Sequence, residues 1–83
     1  MSYQLFTRVA LKEDLPDESL LRGDVATIVE AHAARIGQES GYSLEVFNAV
    51  GETIAVVVVR ESQIEPLAPD EVLHVRHLDE VMA

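Results

Sequence analysis

The three histidines are the residues whose side chains could take part in metal chemistry. His32 stands alone, whereas His74 and His77 are three positions apart. A zinc site takes three or four protein ligands, and the chain has no cysteine to supply one. His74 and His77 share a face only on a helix, because strand residues three apart point to opposite sides. We therefore expect no metal site and no cofactor.

Hydroxyl and carboxylate side chains give no catalytic pattern either. Ser40, Ser43 and Ser62 lack the G-x-S-x-G context of a nucleophile elbow and have no paired base in the sequence. The acidic pairs within residues 13–18 lie in a proline-containing loop, where like charges spread into water. The four glycines are spread singly and form no phosphate-binding loop. We therefore predict that the protein is not an enzyme.

The tripeptide Arg22-Gly23-Asp24 has the sequence of an adhesion signal found on extracellular proteins. The amino-terminal segment has no charged stretch followed by a long apolar one, so it predicts no signal peptide, and we expect a cytoplasmic protein. Gly23 adopts a positive φ at no steric cost, and Asp24 can bond nearby backbone amides. The tripeptide therefore predicts a turn that begins a strand, and Gly51 predicts a second turn.

The composition is that of one small acidic domain over residues 1–83. The chain has 15 acidic and 6 basic residues, a net charge of −9, and 48% hydrophobic residues. Surfaces that bind nucleic acid need clustered cations, and this charge would instead attract a basic protein. The longest apolar run, Ile54–Val59, is far shorter than the roughly 20 residues of a membrane span. We expect a protein partner or self-association, and neither a membrane nor a small-molecule ligand; nucleic acid is disfavoured.

The elements that would position these residues are short β-strands. Alternating and β-branched residues predict four strands, over residues 3–12, 25–30, 42–48 and 53–59. Pro66 and Pro69 limit any further strand nearby to a short one at a sheet edge. Residues 31–40 fit a hairpin arm, with a loop from about Ala34 to Gly41, better than a short helix. About five strands separated by turns predict an all-β fold, either a small barrel or a sandwich.

The segment after Pro69 fits two structures. Four apolar residues have the spacing of one helical face: Val72, Val75, Leu78 and Met82. Alternation over residues 72–76 instead fits a strand, which we favour over the helix.

The stretches LLRGDVATIVEAH, GYSLEVFNAVGETIAVVVV and IEPL resemble an uncharacterised small bacterial domain family, best known from cyanobacteria, with a GDVGTIVE-type signature. The resemblance covers Phe6 to Leu67 and implies an SH3-like, or KOW-like, partly open barrel of about five short antiparallel strands, with residues 68–83 as a C-terminal extension. It does not imply an enzyme, and such genes often look like partners in two-gene modules. Ala26 stands where the family has glycine, and Val46 where it has phenylalanine, with Phe47 beside it.

The fourth predicted strand carries the most information about function, because both of its faces are apolar. Its face with alternate residues 55, 57 and 59 is either core or an interface. Tyrosine and arginine are enriched at interfaces. The candidate interface residues are Tyr42, Ala55, Val57, Val59, His74 and Arg76. We expect a non-catalytic protein-binding module, as an antitoxin-like or accessory subunit; the alternative is a KOW-like module that binds nucleic acid or the ribosome.

Overall fold

The computed structural model describes residues 3–78. The strands, in chain order, are β1 (Arg8–Leu11), β2 (Val25–His32), β3 (Gly41–Phe47), β4 (Thr53–Arg60) and β5 (Ile64–Pro66). They form one open antiparallel sheet in the order β4-β3-β2-β1-β5. Two short 3-10 turns, Pro16–Glu18 and Glu61–Gln63, lie in the connections before β2 and before β5. The predicted all-β fold of five antiparallel strands is confirmed, and β4 and β5 are the edges of the sheet.

Strand β1 is shorter than the predicted residues 3–12. A turn at Leu5 and Phe6 precedes it, and Phe6 has a φ of 67° in the left-handed region. The Phe6 N–H donates to the Ile28 carbonyl oxygen at 2.6 Å, which fixes this turn beside β2. The turn breaks the alternation that would have placed Leu5 inside with Val9, so Leu5 and Phe6 are exposed.

Strand β2 reaches His32, two residues beyond its predicted end, and leaves residues 33–40 as the loop before β3. The hairpin arm therefore forms, and the short helix does not. The pairing of β2 with β3 shifts between Ile28 and Glu30, so Val29 is an extra residue in the ladder. Such a bulge bends and twists its strand, and here it changes which face of the sheet the following residues occupy.

The core lies on one face of the sheet. Ile28 of β2 and Leu44 of β3 are fully buried and stand opposite each other in the ladder. The buried cluster contains Val9, Leu11, Leu20, Ala26, Ile28, Tyr42, Leu44, Val46, Val57, Val59 and Ile64. Each large aliphatic side chain in this cluster contributes about 1.5–3 kcal/mol through removal of its surface from water. A domain with one small core depends on nearly every member of it.

The two apolar faces of β4 have different environments. Val57 and Val59 point into the core, whereas Val56 is 62% exposed and Val58 is 71% exposed. The structure therefore selects core over interface for residues 55, 57 and 59. Three residues of the predicted partner interface, Tyr42, Val57 and Val59, lie in the core, so their side chains are not accessible on the surface of this structure.

The segment after Pro69 is neither the favoured strand nor the helix where the structure describes it. Residues 71–77 have no regular secondary structure. A turn, in which the Glu71 N–H donates to the Ala68 carbonyl oxygen at 3.1 Å, directs the chain away from β5. The segment then pairs with neither sheet edge, and the side chain of Arg76 bonds it to Asp24. Met82 and the rest of residues 79–83 lie outside the described residues.

Candidate functional site

The outer face of β4 presents an apolar strip at the edge of the sheet. Val56 and Val58 are both more than half exposed. We call these two side chains the valine surface. Ile54 is not part of it, because the ladder with β3 shifts register between Ala55 and Thr53 and leaves Ile54 without a residue opposite it. Buried valines on the opposite face anchor the strand, so these side chains stand on a fixed backbone and not on a loop. No strand pairs with β4 beyond β3 within residues 3–78.

The backbone of β4 is also open on its outer side. The Glu61 N–H donates to the Ser40 carbonyl oxygen at 2.9 Å, directly after the last pair of the β3–β4 ladder. Because the two sides of an antiparallel strand alternate, residues 55, 57 and 59 bond to β3, and Val56 and Val58 direct their N–H and C=O groups away from it. The Arg60 N–H also points outward and donates to Gln63 Oε1 at 2.8 Å.

Carboxylates surround the valine surface. Glu45 stands opposite Val56 in the ladder, on the same face, and accepts a hydrogen bond from the Thr53 hydroxyl. Glu52 precedes the strand. At the far end, the Arg60 Nε lies 3.7 Å from a carboxylate oxygen of Glu39. The edge therefore has negative charge near both of its ends, with one arginine that is already next to a carboxylate.

A serine–histidine pair lies on the same outer face. His32 Nε2 and Ser43 Oγ are 2.8 Å apart, and Ser43 is only 8% exposed. No base stands near this serine in the sequence, although the predicted hairpin puts Ser43 and His32 on facing strands. Among residues 3–78, no carboxylate bonds to the other ring nitrogen of His32. The pair links β2 to β3 and lies on the outer face between the bulge in β2 and the valine surface of β4.

In the predicted turn at Gly23 and Asp24, the Asp24 carboxylate accepts hydrogen bonds from other residues of the chain. Gly23 has a φ of 92°, and Asp24 Oδ2 accepts the Leu21 N–H at 2.8 Å. Arg76 Nε donates to Asp24 Oδ1 at 3.0 Å, and Arg76 Nη2 donates to Oδ2. This pair is largely buried, with side-chain exposures of 22% for Arg76 and 20% for Asp24. Arg76 thus holds the C-terminal segment against the turn before β2.

The second predicted turn, before β4, has a similar local network. Gly51 has a φ of 87°. The side-chain oxygen of Asn48 accepts the N–H groups of Val50 and Glu52 at 3.1 and 2.9 Å. The Asn48 amide in turn donates to Glu52 Oε1 at 2.8 Å. These bonds fix where β4 begins, and hence which of its residues face outward.

Tyr42 is a core residue whose hydroxyl is satisfied. It accepts the Tyr3 N–H at 3.0 Å and donates to Glu61 Oε1 at 3.3 Å. The two tyrosine rings meet edge to face, with centroids 5.6 Å apart. Burial raises the pKa of the Tyr3 phenol, and the nearby negative charge of Glu61 raises it further. This cluster closes one end of the core and leaves Tyr42 out of the exposed surface.

The remaining predicted residues are dispersed. Ala55 packs against the core and is partly buried, and His74 and His77 are exposed in the C-terminal segment, away from His32 on β2. Over the described part of the chain, no three histidine, cysteine, aspartate or glutamate side chains converge. Of the predicted residues, the structure brings Asp24 and Arg76 together, whereas the exposed surface of β4 is formed by Val56 and Val58, which alternate with the predicted residues 55, 57 and 59.

No helix within residues 3–78 is long and apolar enough to cross a membrane. Residues 5–66 match the model of the family described as a domain of unknown function (DUF4926). No curated protein matches the chain, and no solved structure matches it. The family match includes all five strands and the valine surface and ends before the segment that carries Arg76.

Proposed function

The chain belongs to the DUF4926 family of domains of unknown function, and we propose that it is a non-catalytic module that binds another protein through the valine surface. The observation that carries this proposal is the exposure of Val56 and Val58 on a rigid edge strand. Proteins that act alone usually protect a long apolar edge with charges, prolines or a covering segment. Here charged residues stand only at the two ends of β4.

The role we propose for this module is that of an antitoxin-like or accessory subunit of a two-gene pair. The net charge of −9 supports a basic protein partner, since complementary charge speeds association and selects partners. The fold that we propose for it is an SH3-like barrel. The long connection after β1, the meander β2-β3-β4 and the return of the short β5 to β1 support that topology.

The test is co-purification from the native host with two matched double variants. Val56→Ser with Val58→Ser removes the valine surface. Ile36→Ser with Val50→Ser removes two apolar side chains from loops, and both are more exposed than Val56 and Val58. We expect the wild type and the loop variant to retain a stoichiometric protein partner, identified by mass spectrometry, and the valine-surface variant to lose it. Circular dichroism checks that all three proteins are folded.

Two results would contradict the proposal. One is a wild-type protein that elutes without a partner under gentle, low-salt conditions. The other is micromolar binding to RNA or DNA that weakens steeply with salt, because that dependence is typical of phosphate contacts and would favour the nucleic-acid alternative.

A further inference from the structure

We propose that β4 binds its partner by strand addition, and that the added segment is an extended strand with an apolar centre and basic residues at both ends. This inference rests on the proposed function, since it names the binding mode and the chemistry of the partner for the same surface. The structure provides three features that such a segment would use: free backbone groups, an adjacent apolar strip and negative charge at both ends of the strand.

The backbone of β4 specifies the binding mode. Val56 and Val58 direct their N–H and C=O groups away from β3, as the alternation after the Glu61–Ser40 bond requires. Strand addition satisfies such groups with main-chain hydrogen bonds, and side-chain pockets or strips then give specificity. The regular part of the edge is residues 55–60 of β4. Val56 and Val58 supply its outward backbone groups, since the outward Arg60 N–H already bonds to Gln63.

The valine surface specifies the centre of the added segment. A new strand would lie about 4.8 Å from β4, with its alternate side chains on the same face as Val56 and Val58. Apolar or β-branched side chains at those positions would form cross-strand pairs with the two valines. Polar side chains there would leave the valines exposed along one side, so the partner needs an apolar residue at every second central position.

Charge specifies the ends of the added segment. The Glu45 carboxylate bonds to the Thr53 hydroxyl and so lies near the start of β4, as does Glu52, and Glu39 lies beside Arg60 near the end of the strand. Lysine or arginine at both ends of the partner strand would complement these carboxylates. A second copy of this chain fits less well, since it carries the same net charge of −9, and like charges oppose association.

The probe for the test is the blocked peptide Lys-Lys-Val-Thr-Val-Thr-Val-Lys-Lys, which is as long as β4 with Glu52. Its matched control has glutamate in place of all four lysines. Binding to the full chain is followed by fluorescence anisotropy and by NMR hydrogen exchange of the backbone amides. We expect the lysine peptide to bind, with affinity that falls as salt increases, and to protect the Val56 and Val58 amides. The glutamate peptide should bind at least about tenfold more weakly.

Two substitutions at Val58 distinguish binding by strand addition from binding through side-chain contacts alone. Val58→Pro removes an outward N–H, which an edge strand tolerates, and Val58→Thr keeps that N–H and a β-branched side chain. We expect the proline variant to lose about tenfold in affinity and the threonine variant to stay within about twofold of the wild type. If the proline variant does not fold, N-methylation of the peptide replaces it. Two methylated peptides are compared, one with its three valine amides methylated and one with its two threonine amides methylated. Only one of them should lose binding, since alternate amides of the added strand face β4.

The outcomes distinguish this inference from the proposed function. Equal binding of both N-methylated peptides, protection of amides elsewhere, or equal affinity for the glutamate peptide would overturn strand addition by a basic segment. A peptide-free dimer that protects the Val56 and Val58 amides would make a second copy the occupant and would overturn it as well. If the natural partner binds wild type and Val58→Pro equally but needs the valine side chains, the proposed function stands and strand addition fails.

Discussion

Replacement of Asp24 should destabilise the domain by an amount that depends on how much of the carboxylate is removed. Asp24 accepts the Leu21 N–H at 2.8 Å and two N–H groups of Arg76. A neutral hydrogen bond contributes about 1 kcal/mol net, and one to a charged group about 1.5–3 kcal/mol. Because about a fifth of each side chain remains exposed, solvent screening reduces the ion pair to roughly 1–2 kcal/mol. Asp24→Asn, which keeps an acceptor for Leu21, should therefore cost about 1.5 kcal/mol and Asp24→Ala about 2.5 kcal/mol.

The assay is urea unfolding followed by circular dichroism, with a double-mutant cycle between Asp24→Ala and Arg76→Ala. The cycle is needed because Arg76 has further contacts, which the single variant would also remove. We expect a coupling free energy of about 1–2 kcal/mol, and a loss of melting temperature of roughly 10–20 °C for Asp24→Ala in a domain of this size. Arg22→Ala, at the exposed first position of the same tripeptide, is the control and should change little.

Two results would refute this reasoning. A coupling free energy below about 0.3 kcal/mol would mean that the ion pair does not hold the C-terminal segment, because that is the value expected of independent sites. Equal destabilisation by Asp24→Asn and Asp24→Ala would mean that the bond to the Leu21 N–H contributes nothing to the turn.

Three further measurements test the core, the edge and the tyrosine cluster. Ile28→Ala should lower the free energy of unfolding by about 3 kcal/mol in urea titrations, because it leaves a cavity at a fully buried position. Val56→Thr with Val58→Thr should change that free energy by less than about 0.5 kcal/mol, since both side chains are exposed; a loss as large as that of Ile28→Ala would contradict the assignment of faces. The pKa of Tyr3 is raised in the folded protein, so as the pH rises the phenol ionises in the unfolded chain first. The stability that the neutral phenol contributes is therefore complete below the ordinary pKa of 10.0 and is lost as the pH rises through the folded pKa. Tyr3→Phe should remove that part of the alkaline destabilisation, and a phenolate absorbance titration in which Tyr3 ionises below 10.0 would contradict it.

Local signals in the sequence were sufficient for the three consecutive strands β2, β3 and β4. The β-branched run of β2, the alternation of β3 and the turn at Gly51 all agree with the structure, because each is decided by neighbouring residues. The start of β1 could not be predicted in this way. A phenylalanine at positive φ is contrary to its intrinsic preference, and the turn at Phe6 depends on a bond to Ile28, 22 positions later in the chain.

The face of β4 and the path of the C-terminal segment depend on contacts distant in sequence. With apolar residues at every position from 54 to 59, no periodic pattern could decide which valines are buried. The ladder with β3 decides it, and it places residues 57 and 59 of the predicted interface in the core. The C-terminal segment has spacings suited to both a helix and a strand, and its position is set by an ion pair between residues 52 apart.

The extra residue Val29 reverses which alternate residues of β2 face the core. Before it, even-numbered residues such as Ala26 and Ile28 face the core; after it, Glu30 stands opposite Ser43 on the outer face. In an uninterrupted strand the original phase would carry the Glu30 carboxylate to the inner face, beside the most deeply buried side chains. Because of this one residue, β2 contributes apolar side chains to the core in its first half and keeps the Glu30 carboxylate on the outer face in its second half. A chain without Val29 would place Glu30 on the outer face with a regular β2–β3 ladder. The bulge therefore accommodates one additional residue in β2 without changing the rest of the sheet.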